Sequence, residues 1–265
     1  MGNSRGNRWS RKHQNYSIDQ DEFWMANFDL PAAINLIVKK TGQEKLYYNG
    51  YSQGTTIAFI TFSAMPELAQ KIKLYFALAP IATVKYARSP ATKLIYLPEI
   101  LLRGLLGERE FLPQTECLRK LIVPLCSNRA FAKLCRNVFF SLGGREHSLN
   151  IVFQNQINTY TAQTPAGTSV QNIIHWSQVH SGKFQAYDLG SSRTWRNTNR
   201  YLLATPPLYN VGGITVPIAV WTGGQGLLTD PKDTIPEWAH LDFIWGLDTL
   251  LCMYNEIIDL MQKYP

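Results

Sequence analysis

The sequence predicts an α/β fold: a parallel sheet flanked by helices and interrupted by a helical insertion. Three observations carry that expectation. Short apolar runs alternate with amphipathic stretches at both ends of the chain. The pentapeptide Gly50-Tyr51-Ser52-Gln53-Gly54 joins one such run directly to a helical pattern. Between about Tyr86 and Tyr209 the alternation gives way to irregular helical periodicity, dense in leucine from Leu94 to Leu106. The chain is thereby read as a first part of the core (1–85), a helical insertion (86–209) and a second part of the core (210–265).

Each element has a local reason. Asp29 can cap a helix that has Pro31 in its first turn, apolar Ala33, Ile34, Ile37 and Val38, and Gly42 as its stop. Lys45-Leu46-Tyr47-Tyr48 is a short strand, and Thr55 to Ala64 continues as a helix. Pro66-Glu67-Leu68-Ala69 starts a further helical turn, and Leu74 to Leu78 is apolar throughout, as a parallel strand buried on both faces requires. Val216 to Trp221 reads as a third strand. Leu247, Leu250, Leu251, Tyr254, Ile257, Ile258 and Met261 repeat at helical spacing and mark a terminal helix.

Composition narrows the functional classes. The 265 residues are 45% hydrophobic and 12% aromatic, as a globular chain needs for a sizeable core. The net charge of +7 is spread without a block of like charges, which argues against nucleic acid and leaves a solvated face or an anionic lipid surface. No apolar run approaches the roughly 18 residues needed to span a bilayer. Met1 to Gln14 is polar and basic, so no secretory signal is expected there, and the sequon Asn15-Tyr16-Ser17 matters only in a secretory compartment. The cysteines Cys117, Cys126, Cys135 and Cys252 lack Cys-x-x-Cys spacing and no histidines stand at i,i+4, so neither a metal nor a cofactor is expected.

The chemistry points to Ser52. A Gly-x-Ser-x-Gly turn between strand and helix holds its serine in a strained conformation that exposes the hydroxyl, and the flanking glycines at positions 50 and 54 are expected to avoid collisions with neighbouring backbone. Among His13, His147, His175, His180 and His240, the last is the candidate base. It precedes the terminal helix in Pro236-Glu237-Trp238-Ala239-His240-Leu241-Asp242, which fits a chain order of serine, acid, histidine.

Gly2 to Ser10, Gly50 to Thr56, Pro165 to Asn172 and Trp238 to Trp245 together resemble the acid lipase family of gastric and lysosomal lipases, in the same order and across nearly the whole chain. The resemblance implies an incomplete α/β-hydrolase fold, with a helical cap, that cleaves neutral lipid esters. Ser52 would be the nucleophile, His240 the base and the backbone N–H of Gln53 an oxyanion donor. It implies a lipid ester or lipid surface as partner and a secreted or lysosomal setting. It also matches Cys117 and Cys126 to a disulfide in the cap, the alternative being buried free thiols; the bridge requires the chain to turn between them, with Pro124 as the expected place.

Three departures qualify that expectation. The family's opening strands and its His-Gly-Leu oxyanion loop are not in this sequence. The family's catalytic acid would fall at Gly226, in Gly223-Gly224-Gln225-Gly226, leaving Asp230, and behind it Asp233, to supply the carboxylate. The stretch from Gly226 to His240 is also too short for a full strand-helix-strand crossover of about 30 residues, so the last strand is expected to be missing. Two functions of different class follow: a lipase-type ester hydrolase, or a catalytically impaired lipase fragment that at most binds lipid.

Overall fold

The computed structural model describes residues 5–15, 28–113, 115–144, 159–189, 194–225 and 234–265. Its centre is a four-stranded sheet of order β1-β2-β5-β6, with every pair parallel. The strands are β1 (Leu46–Tyr51), β2 (Ile72–Leu78), β5 (Ile218–Gly223) and β6 (Thr234–Ile235). The short strands β3 (Glu110–Phe111) and β4 (Thr168–Ser169) form a separate antiparallel pair.

Strand β2 explains why the sheet forms here. Its alternate side chains enter two different cores, with Tyr75 and Ala77 on one face and Leu74, Phe76 and Leu78 on the other. Helices α1 (Asp29–Thr41) and α2 (Gln53–Ala64) close the first face through Ile34, Ala58, Phe59 and Phe62. The second is closed by Trp238, Phe243, Met253 and Ile257 from the end of the chain. The continuous apolar run of β2 is therefore the signature of burial on both sides. Coverage stops at β5: Val220 pairs with Ala77 yet stays 54% exposed.

Several expectations are corrected. Asp29 does not cap α1, because Phe28 occupies that position and the Asp29 carboxylate accepts from the backbone N–H and the Nε of Arg5, at 2.9 and 2.6 Å. The last strand is present as the two residues of β6. Among the described residues it pairs only with Thr222 and Gly223, the tip of β5. Close backbone approach at this tip demands glycine: a Cβ on Gly223 would stand 2.5 Å from the Trp238 carbonyl oxygen, and one on Gly224 2.7 Å from that of Pro236. The terminal helix is split into α9 (Asp242–Trp245), a π-turn at Leu250–Tyr254 and α10 (Asn255–Lys263).

Between β2 and β5 lie α4 (Glu99–Leu106), α5 (Glu116–Ser127), α6 (Arg129–Gly143), α7 (Val170–Gln178) and α8 (Thr194–Tyr201); α3 is the turn at Pro66–Ala69. The disulfide joins Cys126 to Cys135, and Cys117 is a free, exposed thiol. Cys117 and Cys126 share helix α5, which runs through Pro124 and ends at Ser127, and nine residues of helix separate such a pair by roughly 13 Å. The chain turns one step later, at Asn128, whose side-chain Oδ1 accepts from the Ala130 N–H at 2.9 Å. That turn folds α6 back on α5 and brings the Cα atoms of Cys126 and Cys135 to 5.7 Å. The nine-residue spacing occurs twice among these cysteines, and the pair that spans the turn is the one bridged.

Candidate active site

Ser52 lies between β1 and α2 with φ 53° and ψ −120°. A non-glycine residue there costs on the order of 1–3 kcal/mol and persists only where its surroundings dictate it. Those surroundings are visible. The Ser52 N–H donates to the Leu78 carbonyl at 3.0 Å, while the Ser52 carbonyl accepts from the Thr55 N–H at 2.9 Å and the Thr55 hydroxyl at 2.6 Å. Thr55 is fully buried and is itself held by Tyr75, whose hydroxyl donates to its carbonyl at 3.1 Å. The elbow is thus tied to β2 on one side and to the first turn of α2 on the other.

The two elbow glycines differ. A Cβ on Gly50 would stand 3.0 and 3.1 Å from the carbonyl oxygen and carbon of Gly54, so backbone would have to move. A Cβ on Gly54 would meet only the Tyr48 hydroxyl, at an ordinary 3.7 Å. The steric reason expected for both glycines therefore holds for Gly50 alone.

His240 reaches Ser52 from the opposite end of the chain, with Nε2 2.7 Å from Oγ. Its main chain is fixed on both sides. The His240 N–H donates to the carbonyl of Gly143, the last residue of α6, at 3.3 Å, and its carbonyl accepts from the Tyr51 hydroxyl at 2.8 Å. Before it, Ala239 donates its N–H to the carboxylate of buried Asp242 at 2.9 Å. The residue is 5% exposed, and desolvation lowers the pKa of its imidazole to about 4. It is therefore neutral at and above mild acidity. For Ser52 to donate to Nε2, the ring proton must be on Nδ1, and Nδ1 is buried with no hydrogen-bond partner among the described residues. The carboxylates of Asp242 and Asp248, which follow His240 in the chain, accept from Ala239 N–H and Trp238 Nε1.

Of the residues singled out in the sequence, Ser52 and His240 are brought together. Gln53 is the first residue of α2, where a backbone N–H has no intrahelical acceptor and points out of the helix end. Gly226, Asp230 and Asp233 lie outside the described residues. Two contacts had no sequence reading. The Gln53 side chain donates to Asn172 Oδ1 at 2.8 Å, and Tyr51 bonds to the histidine main chain. Both residues belong to motifs quoted above, but neither motif discloses its partner. Among the described residues, no group of three His, Cys, Asp or Glu could hold a metal ion, and no helix is long and apolar enough to cross a membrane.

The sequence profile of the alpha/beta hydrolase fold matches residues 1–247. Lysosomal acid lipase/cholesteryl ester hydrolase from Homo sapiens is 50% identical over 287 aligned positions, covering all of this chain and 71% of that protein. The chain belongs to the acid lipase family of the α/β-hydrolase fold. Other acid lipases give the same picture. Lipase member M from Homo sapiens is 55% identical over 99% of this chain, and gastric triacylglycerol lipase from Bos taurus is 45% identical over 99% of it. The chain spans 66% of lipase member M and 71% of the gastric enzyme. The 287 positions aligned with the lysosomal lipase exceed the 265 residues present by 22, so that relative carries internal segments this acid lipase lacks. Among solved structures, a soluble variant of monoglyceride lipase from Saccharomyces cerevisiae in complex with a substrate analogue superposes with a TM-score of 0.55. It has 14% identity and covers 98% of this chain and 76% of that one, a likeness of fold.

Proposed function

We propose that this chain carries the catalytic dyad of a serine ester hydrolase acting on neutral lipid esters in lipid catabolism. The observation that carries the reading is the 2.7 Å contact between His240 Nε2 and the Oγ of a backbone-strained Ser52. In the proposed reaction the Ser52 hydroxyl gives its proton to His240 Nε2 as Oγ attacks the ester carbonyl carbon. The carbonyl electron pair moves to oxygen, where the Gln53 N–H helps stabilise it. Collapse expels the alcohol, which takes the proton back from His240, and leaves an acyl-serine. A water, deprotonated by the same nitrogen, attacks the acyl carbon; the fatty acid leaves and Ser52 recovers its proton. Asp230 is the proposed acid partner of Nδ1, since an acid needs only to reach that one ring nitrogen.

The setting follows the relatives. Their names describe lysosomal and gastric lipases, one of them a cholesteryl ester hydrolase, and we assign this chain the same secreted or lysosomal route. The Cys126–Cys135 bridge supports it, because such bonds persist in oxidising compartments. We read residues 86–209 as the cap. Exposed Ile100, Leu101 and Leu105 on α4 are its proposed contact with a lipid surface.

A second reading, an impaired lipase that retains at most lipid binding, is supported by Nδ1 having no hydrogen-bond partner among the described residues. Loss of the orienting acid in a serine triad costs on the order of 10⁴ in turnover. Hydrolysis of a short-chain chromogenic ester by the wild type and by Ser52→Ala separates the two. Turnover that vanishes in Ser52→Ala supports the hydrolase, and indistinguishable rates support the impaired fragment.

A further inference from the structure

We infer that Tyr51 is a positioning residue for His240, its hydroxyl and ring supplying part of the orientation that a triad acid would otherwise give. The inference rests on the dyad reading above. A triad acid does two things for its histidine: it fixes which nitrogen bears the proton and it stops the ring from turning over. Among the described residues Nδ1 has no partner and the ring makes one hydrogen bond, to Ser52 Oγ. Rotation by a half-turn would forfeit that bond alone, unless something else restrains the ring.

Tyr51 is placed to do so, and through two contacts at once. Its hydroxyl donates to the His240 carbonyl at 2.8 Å, and its ring lies 5.1 Å from the imidazole at an interplanar angle of 35°. It immediately precedes Ser52 on β1, so the strand that aims the nucleophile also aims the base. The other half of the restraint is the His240 N–H on Gly143. Together these fix both ends of the residue's peptide frame and leave only the side-chain torsions to choose the ring position, with the Tyr51 ring lying beside one face. A bond from a tyrosine in the elbow strand to the base's own carbonyl couples the two reacting groups without passing through a carboxylate.

The test compares Tyr51→Phe with Tyr47→Phe in the full chain. Tyr47 lies on the same strand and the same face, four residues back from Tyr51, and its hydroxyl also meets main-chain carbonyls, that of Met261 at 2.8 Å and that of Tyr264, at the C-terminal end of the chain and not at His240. Tyr51→Phe should lower kcat on the short-chain ester about five- to tenfold with KM unchanged, as expected for one hydrogen bond expressed in the transition state. Tyr47→Phe should leave kcat alone. The second readout is the nitrogen-15 spectrum of His240, which distinguishes the two tautomers. The wild type and Tyr47→Phe should show one tautomer, protonated on Nδ1, and Tyr51→Phe a mixture. Identical His240 spectra and kcat in Tyr51→Phe and wild type overturn the inference, as does an equal kcat loss in both variants. If the wild type has no ester turnover, the dyad proposal fails while the spectra still decide the role of Tyr51.

Discussion

Taking the protein from neutral pH to about pH 4 titrates His240 fully in the unfolded chain but only about halfway in the folded one. Burial moves the folded imidazole from 6.5 to about 4. That gap of about 2.5 units, at about 1.4 kcal/mol per unit, corresponds to about 3 kcal/mol. The sign follows from which state holds the extra proton. Between pH 6.5 and 4 the unfolded chain binds it and the folded chain does not, so the contribution is complete above 6.5, falls as pH drops, and is gone below about 4. Buried His175 is shifted in the same direction, so the measurement must be a difference. Urea unfolding of the wild type and His240→Asn at about pH 7.5, 5.5 and 4 isolates the one residue, because His175 is common to both. The wild type should lose about 3 kcal/mol more than the variant across that range. Parallel losses in the two chains would refute the claim that His240 is held neutral by burial.

Further outcomes follow from the same geometry. Gly50→Ala should cost about 1–3 kcal/mol by forcing backbone apart, while Gly54→Ala should be neutral or slightly stabilising; equal thermal shifts would contradict the contact distances. If ester turnover is present, Asp230→Asn should depress it sharply and Asp233→Asn should not, and Gly226→Asp should not raise it; equal indifference to both asparagines removes Asp230 from the mechanism. Thiol titration of the unfolded, unreduced chain should find the two free cysteines Cys117 and Cys252. Replacing Cys126 and Cys135 by serine should lower stability by about 2–3 kcal/mol for a loop of this length, and Cys117→Ser should not.

The parts legible in the sequence are those where local pattern and tertiary context agree. The apolar run of β2 could only be a strand buried on both faces, and it is the sheet's centre. The elbow was legible because strained serine backbone, strand and helix all leave marks within a few residues. His240 was found by its place in the chain, since nothing local distinguishes it from His175 or His180. The misreadings share a cause. Which cysteine pairs with Cys126 depends on where a helix stops, and Asn128 rather than Pro124 stops it. Whether β6 exists depends on how little of β5 it must pair with, a fact of register rather than of composition. The roles of Tyr51 and Asn172 arise from contacts across 189 and 119 residues of chain, distances over which periodicity says nothing.

The central claim is that Ser52 is an activated nucleophile with His240 as its base. Its most direct measurement is intact and peptide mass spectrometry of the chain after reaction with a fluorophosphonate, alongside Ser52→Ala, His240→Asn and Ser169→Ala. One adduct per chain, located at Ser52, abolished in Ser52→Ala, strongly slowed in His240→Asn and unchanged in Ser169→Ala is the expected result. An adduct at another serine, or labelling of Ser52 at the same rate without His240, would contradict it.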